Sequence, residues 1–208
     1  MARVKICGIT TVADAIACVR AGADAIGLNF VSGSPRRIDE NAAQAIVRAV
    51  GDQVLVVAVV AGQSVDAMRK LRASTRVGCL QLHGDESQDV VRALLPHAYK
   101  AVRVASAEDV ALAEGMPGDY VMVDARTAGA LGGTGHPFDW RLVVDLAQRR
   151  RLVLAGGLTP QNVESAIAIV RPWCVDVASG VESSPGVKDL EKVEAFVDRA
   201  RRAGVTPT

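Results

Sequence analysis

Two side chains stand where a reactive group is out of place unless it is used. Cys7 closes the short apolar run 3–7, and Asp124 follows Val121-Met122-Val123 at the end of another. A thiolate and a protonated carboxylic acid form a base and acid pair that can move protons on carbon and oxygen. That work requires surroundings that push the thiol pKa down and the carboxyl pKa up. The bland alternatives are a small buried hydrophobe for Cys7 and a helix cap or structural ion pair for Asp124.

Three glycine-rich segments offer a second kind of chemistry. They are Ala155-Gly156-Gly157-Leu158-Thr159-Pro160, Ala178-Ser179-Gly180-Val181-Glu182, and Gly132-Gly133-Thr134-Gly135. Glycine lets backbone N–H groups approach and converge on a phosphate, and a helix N-terminus adds positive dipole. Tight turns alone are the competing explanation. Arg36, in Ser34-Pro35-Arg36-Arg37, belongs to a segment that a phosphate site does not need. Its planar fork suits a substrate carboxylate, whereas neighbouring Arg37 reads as a solvated surface charge. His83 either touches substrate or orients loops through Asp85 or backbone groups.

These residues need elements to position them. Short Val- and Ile-rich runs read as buried parallel strands at 3–7, 25–30, 54–61, 78–83, 99–104, 120–125, 152–155 and 175–179. Helical spacing falls between and after them, at about 12–21, 40–49, 64–73, 86–94, 106–114, 140–149, 160–169 and 189–202. Asp39 reads as a helix cap, and Thr159-Pro160 as a cap followed by a first-turn proline. Gly22, Gly51 and Gly204 stand just past helix ends. Eight strands and eight helices in strict alternation imply an α/β fold, a (β/α)8 TIM barrel, as a single domain over residues 1–208. A flavodoxin-like or Rossmann sheet needs about five or six strands. In a barrel of this kind the active site lies at the C-terminal strand ends, which is where the groups above fall. Strand parity adds one contact. If Cys7 points inward, so does Lys5, and a buried charge needs a partner. Asp176 on the last strand supplies it, giving a structural Lys5–Asp176 ion pair.

Composition excludes several classes. The 208 residues are 50% hydrophobic and 23% charged, with 24 Lys and Arg against 23 Asp and Glu. Disorder needs low hydrophobicity and high net charge. A net charge of +1 leaves no basic field for nucleic acid or a membrane surface, and 3% aromatics gives few stacking platforms. No apolar run approaches the roughly 18 residues of a membrane span, and no signal-peptide pattern opens the chain. Cytoplasmic location follows as the expectation. The four cysteines and three histidines are scattered, so neither a disulfide framework nor a zinc site is expected.

Read together, the segments 4–10 (VKICGIT), 21–27 (AGADAIG), 34–36 (SPR), 81–86 (QLHGDE), 132–135 (GGTG), 138–140 (FDW), 155–163 (AGGLTPQNV) and 176–189 (DVASGVESSPGVKD) resemble the phosphoribosylanthranilate isomerase family of tryptophan biosynthesis. They come in family order from residue 4 to about 196. The resemblance implies an Amadori rearrangement of a phosphoribosyl aminoaldose, with no metal or organic cofactor. It implies Asp124 as general acid at the furanose ring oxygen and Cys7 as general base at C2′. Arg36 would hold the anthranilate carboxylate. Backbone groups around Gly133, Gly135, Gly156, Gly157, Ser179 and Gly180 would hold the phosphate.

Two departures stand out. His136-Pro137 occupy a position where the family often has lysine, and Asn29 interrupts an otherwise apolar strand and needs a partner if buried. Competing functions on the same fold are a sugar-phosphate epimerase, the related isomerase of histidine biosynthesis, or a non-catalytic phosphate-ligand binder. The expected partner is a phosphorylated small molecule, with no nucleic acid or membrane. The chain is expected to be free-standing, as monomer or homodimer.

Overall fold

The computed structural model describes residues 2–124 and 139–203. Eight parallel strands close a barrel in sequence order: β1 (Arg3–Cys7), β2 (Ala25–Asn29), β3 (Leu55–Val60), β4 (Cys79–Leu82), β5 (Ala98–Arg103), β6 (Tyr120–Asp124), β7 (Arg151–Ala155) and β8 (Cys174–Val177). β8 returns to β1, with Lys5 beside Asp176 in register. The helices are α1 (Val12–Arg20), α2 (Glu40–Val50), α3 (Val65–Thr75), α4 (Gln88–Leu94), α5 (Ala107–Glu114), α6 (Val144–Arg149), α7 (Val163–Val170) and α8 (Leu190–Ala203).

Period-2 alternation divides each strand between two cores. Val4, Ile6, Val121, Val123, Val175 and Val177 join the large cluster between strands and helices. Ala25, Val57, Tyr99, Ala101, Met122, Val153, Ala155 and Cys174 form the smaller cluster inside the barrel. Positions on that inner face nearer the strand ends are polar: Lys5, Gln81, Asp124 and Asp176 are all buried. The alternation therefore decides which side chains reach the mouth.

The helices start on side-chain caps. Thr11, Asp39, Ser64, Ser87 and Ser106 each accept an N–H from the first turn, and Ser106 with Asp109 completes a reciprocal capping box. Asp39 is the cap expected from the sequence. Gly22 and Gly51 both have positive φ just beyond their helices.

Three local expectations need correction. α7 begins at Val163, not at Pro160. Asn162 Oδ1 accepts the Thr159 N–H and Thr159 Oγ1 accepts the Gln161 N–H, so a side-chain-closed turn takes up 159–162. A 3-10 turn, Trp140–Val143, precedes α6 and shortens it. Ser179 does not continue β8 but opens a 3-10 turn, Ser179–Val181. That turn leads into an antiparallel hairpin, β9 (Glu182–Ser184) with β10 (Val187–Lys188), which the alternating pattern did not foretell.

Candidate active site

A cavity of about 680 Å³ opens at the C-terminal ends of the strands. Cys7, Arg36, His83, Asp124, Gly156, Gly157 and Ser179 all line it. Seven groups singled out in the sequence thus converge, although they lie up to 172 positions apart. Gly180, the residue after Ser179, is not part of the lining and packs instead against Leu158. Gly133, Gly135 and His136 lie outside the described residues.

Cys7 ends β1 on its inward face, directly beside Gly27 of β2. A Cβ on Gly27 would stand 2.6 Å from Cys7 Sγ and 3.1 Å from Lys5 Nζ, so the glycine makes room for both groups. The expected ion pair is present: Lys5 Nζ lies 3.0 Å from Asp176 Oδ1, with both side chains almost fully buried. Burial alone would lower the Lys5 pKa, but Asp176, together with Cys7 and Tyr99, more than offsets this and holds it well above the ordinary value. The thiol does not follow the expected direction. Burial pushes the Cys7 pKa up, against the opposing charges of Lys5 and Lys188.

Asp124 ends β6, and its partner is His83. His83 Nε2 lies 3.4 Å from Asp124 Oδ2, and His83 Nδ1 lies 2.7 Å from Gln81 Nε2. With the Gln81 amide as donor, the ring proton sits on Nε2 and points at the carboxyl group. Tyr99 Oη donates to Gln81 Oε1 at 2.8 Å, so a line of hydrogen bonds runs from the barrel core to Asp124. Asp85 is not among these partners.

Arg36 is held more firmly than a surface arginine. Its Nε and Nη2 donate to the two oxygens of Glu182 at 2.8 and 2.6 Å. Gly8 has φ 78°, and a Cβ there would stand 2.5 Å from Arg36 Cδ. The arginine therefore lies across the backbone next to Cys7. Lys188 Nζ donates to Glu182 Oε1 at 2.8 Å and to the Cys7 carbonyl at 2.7 Å. Burial would raise the Glu182 pKa, but hydrogen bonds from Arg36 and Lys188 win and lower it. The unforeseen hairpin thus fastens the loop after β2 to the end of β1. The sequence marks this stretch as a motif but gives no role to Glu182 or Lys188. Gln81 was also missed, and its signal was a buried amide two residues from His83.

The loops after β7 and β8 pack against each other. A Cβ on Gly180 would stand 2.0 Å from the Leu158 carbonyl oxygen, so close approach of the two loops demands glycine there. Gly156 and Gly157 both have positive φ, and the space beside Gly157 is open. Asn29, also on the cavity wall, accepts the Val31 N–H at 2.8 Å and so has its partner. Across the mouth, buried Glu86 accepts the Gly62 and Gly84 N–H groups and stands 3.4 Å from Lys100, bracing the loops after β3 and β4. Among the described residues no group of three or more His, Cys, Asp or Glu could hold a metal ion, and no helix is long and apolar enough to cross a membrane.

Barrel and cavity define a (β/α)8 enzyme with a thiol at the end of β1 and a carboxyl group at the end of β6, both on one cavity. The family described as N-(5'phosphoribosyl)anthranilate (PRA) isomerase matches residues 4–199. The N-(5'-phosphoribosyl)anthranilate isomerase of Magnetococcus marinus is 45% identical over 205 residues, covering 97% of this chain and 96% of the relative. The crystal structure of phosphoribosyl anthranilate isomerase from Thermotoga maritima superposes with a TM-score of 0.90 at 38% identity, covering 97% of this chain and all of that one. A second crystal structure, an isomerase of this kind in complex with reduced 1-(o-carboxyphenylamino)-1-deoxyribulose 5-phosphate, gives a TM-score of 0.85 at 35% identity, with 97% and 100% coverage. The chain belongs to the N-(5'-phosphoribosyl)anthranilate isomerase family.

Proposed function

We propose that this chain catalyses the Amadori rearrangement of N-(5-phosphoribosyl)anthranilate to 1-(2-carboxyphenylamino)-1-deoxyribulose 5-phosphate in tryptophan biosynthesis. The observation that carries this reading is the convergence of Cys7, Arg36, Asp124 and the loops after β7 and β8 on one cavity. The substrate has anionic handles at both ends, and the cavity offers a cation on one wall and glycine-rich backbone on another.

Asp124 donates its proton to the furanose ring oxygen. The C1′–O bond breaks as the anilino nitrogen lone pair forms the C1′=N bond of a protonated Schiff base. Asp124 is left as a carboxylate, and the His83 Nε2–H then donates to a charged acceptor. That hydrogen bond strengthens as the proton leaves, which is when stabilisation speeds the step. Cys7 as thiolate removes the C2′ proton, the C1′=C2′ bond forms, and the electrons of C1′=N return to nitrogen. The resulting enolamine becomes the ketone by proton transfer to C1′. Glu182 occupies the Nε–Nη2 edge of Arg36, so the Nη1–Nη2 edge is the one that receives the anthranilate carboxylate. Backbone N–H groups around Gly156, Gly157, Ser179 and Gly180, with Gly133 and Gly135, hold the phosphate. Fixing both ends of the substrate places C2′ between base and acid. The reading includes one domain over 1–208, no metal or organic cofactor, and a cytoplasmic monomer or homodimer.

The test is turnover of freshly made phosphoribosylanthranilate, followed by the loss of its fluorescence, with Asp124→Asn alongside. Wild-type turnover that collapses in folded Asp124→Asn is the expected result. Absence of turnover by folded wild type overturns the substrate assignment. Equal rates overturn the role of Asp124.

A further inference from the structure

We propose that Lys5, aimed by Asp176, is the group that stabilises the Cys7 thiolate and so makes it serviceable as a base. The inference rests on the reading of Cys7 above and adds a residue to which that reading gave only a structural part. Lys5 precedes Cys7 by two positions on β1, so both side chains enter the barrel from one strand. Gly27, the β2 residue beside Cys7, has no side chain, and Cys7 Sγ and Lys5 Nζ both close on the space a Cβ would fill there. The ammonium is held 3.0 Å from Asp176, which sits beside it in register on β8.

Stability does not explain the arrangement. Apolar layers are the ordinary filling of a barrel interior, and a buried ion pair is at best a neutral substitute for them. A buried thiol that must ionise, by contrast, needs a cation that water cannot screen. The charged groups around Cys7 decide which cation serves. Lys188 on β10 and Arg36 after β2 both lie close, but each is bonded to Glu182, and Lys188 also holds the Cys7 carbonyl. β2 contributes only Gly27 at this level. From β5, Tyr99 faces Lys5, and from β8 Asp176 opposes ionisation of the thiol. Lys5 is the largest influence favouring the thiolate, against burial. Asp176 therefore has two opposed effects: it keeps Lys5 charged and in place, and it weakens the net field on sulfur.

Those opposed effects give variants of opposite sign. The measurement is the pH dependence of iodoacetamide alkylation at Cys7, read by peptide mass spectrometry on the folded full chain. Cys18, buried away from Lys5 and pushed up to about 12, is the internal reference. Lys5→Met should raise the Cys7 midpoint by about one on the pH scale, which slows alkylation at a fixed pH below it about tenfold. It should also lower kcat while leaving KM nearly unchanged. Asp176→Asn leaves an amide oxygen to accept the Lys5 N–H and removes the charge that opposes the thiolate, which itself favours a charged Lys5, so it should move the midpoint down. Because Asp176 also lines the cavity, only its alkylation is read. An unmoved midpoint in folded Lys5→Met, or midpoints that move the same way in both variants, overturns the proposal. If Lys5→Met does not fold, Asp176→Asn decides alone, and an unchanged or raised midpoint overturns it. Opposite movements in a protein that lacks isomerase activity would keep the thiolate inference and remove the base assignment, so the two failures are distinct.

Discussion

The two ends of the barrel are built from different chemistry. At the C-terminal mouth, buried ions and the half-buried Arg36 are linked to one another: Lys5 with Asp176, Arg36 and Lys188 with Glu182, and Lys100 with Glu86. At the N-terminal floor the strand starts carry a stack of rings and guanidinium groups. Arg3 lies 4.5 Å over Trp173, Trp173 meets Tyr120 at 4.8 Å with the rings tilted 59°, and Arg151 lies 5.3 Å over Tyr120. Arg151 also donates to the Tyr120 hydroxyl at 2.9 Å. The floor satisfies its cations with π-faces and solvent, which needs no charge burial. The mouth bears the desolvation cost of fixed charges around a cavity. The same strands thus divide their labour by end, stability below and chemistry above.

Breaking the comparison starts at the mouth. Cys7→Ala should lower kcat on the order of 100-fold or more, the scale of a general base, with a thermal midpoint close to wild type. Unchanged turnover would remove Cys7 from the mechanism. Glu182→Gln comes next, at about 3 kcal/mol of stability, because Arg36 and Lys188 lose their shared counter-charge. Its pH dependence follows from the lowered Glu182 pKa. A carboxylate whose folded pKa is depressed stabilises the protein above the unfolded value of about 4.3. That contribution is lost as pH falls through the lower folded value. Wild type should therefore lose stability below about pH 4.3 more steeply than Glu182→Gln, as chemical denaturation at several pH values would show. Equal slopes would detach Glu182 from the acid response.

At the floor, Trp173→Ala should cost about 2 kcal/mol through lost ring packing and the Arg3 contact, while kcat and KM stay within about twofold. A large loss of kcat without loss of stability would erase the distinction between the ends. Ser106→Ala, away from both, should cost about 1 kcal/mol for the lost cap of α5 and change no kinetic constant. Denaturant midpoints at fixed slope separate these two effects.

Most of what was legible in the sequence was local. The Val- and Ile-rich runs marked the strands to within a few residues, and their ends marked Cys7, His83, Asp124, Gly156 and Gly157 as mouth residues. Even the Lys5–Asp176 pair could be read, because parity along a strand is a local rule and closure of eight strands makes the first and last neighbours. The α7 boundary was misplaced because Asn162 and Thr159 commit their side chains to a turn rather than a cap.

What tertiary structure alone decided is how the ends face one another. Glu182 and Lys188 stand 5 and 11 residues after β8, yet their partners are Arg36 and the Cys7 carbonyl, more than 140 positions earlier. Nothing in the spacing of 182–188 names those partners, since they meet only when the hairpin folds over the closed barrel. The direction of the Cys7 pKa was likewise set by depth of burial against the field of neighbouring strands. Periodicity and residue type carry the first kind of information because each strand obeys them by itself. Desolvation and through-space charge carry the second, and they exist only once distant segments have excluded water from between them.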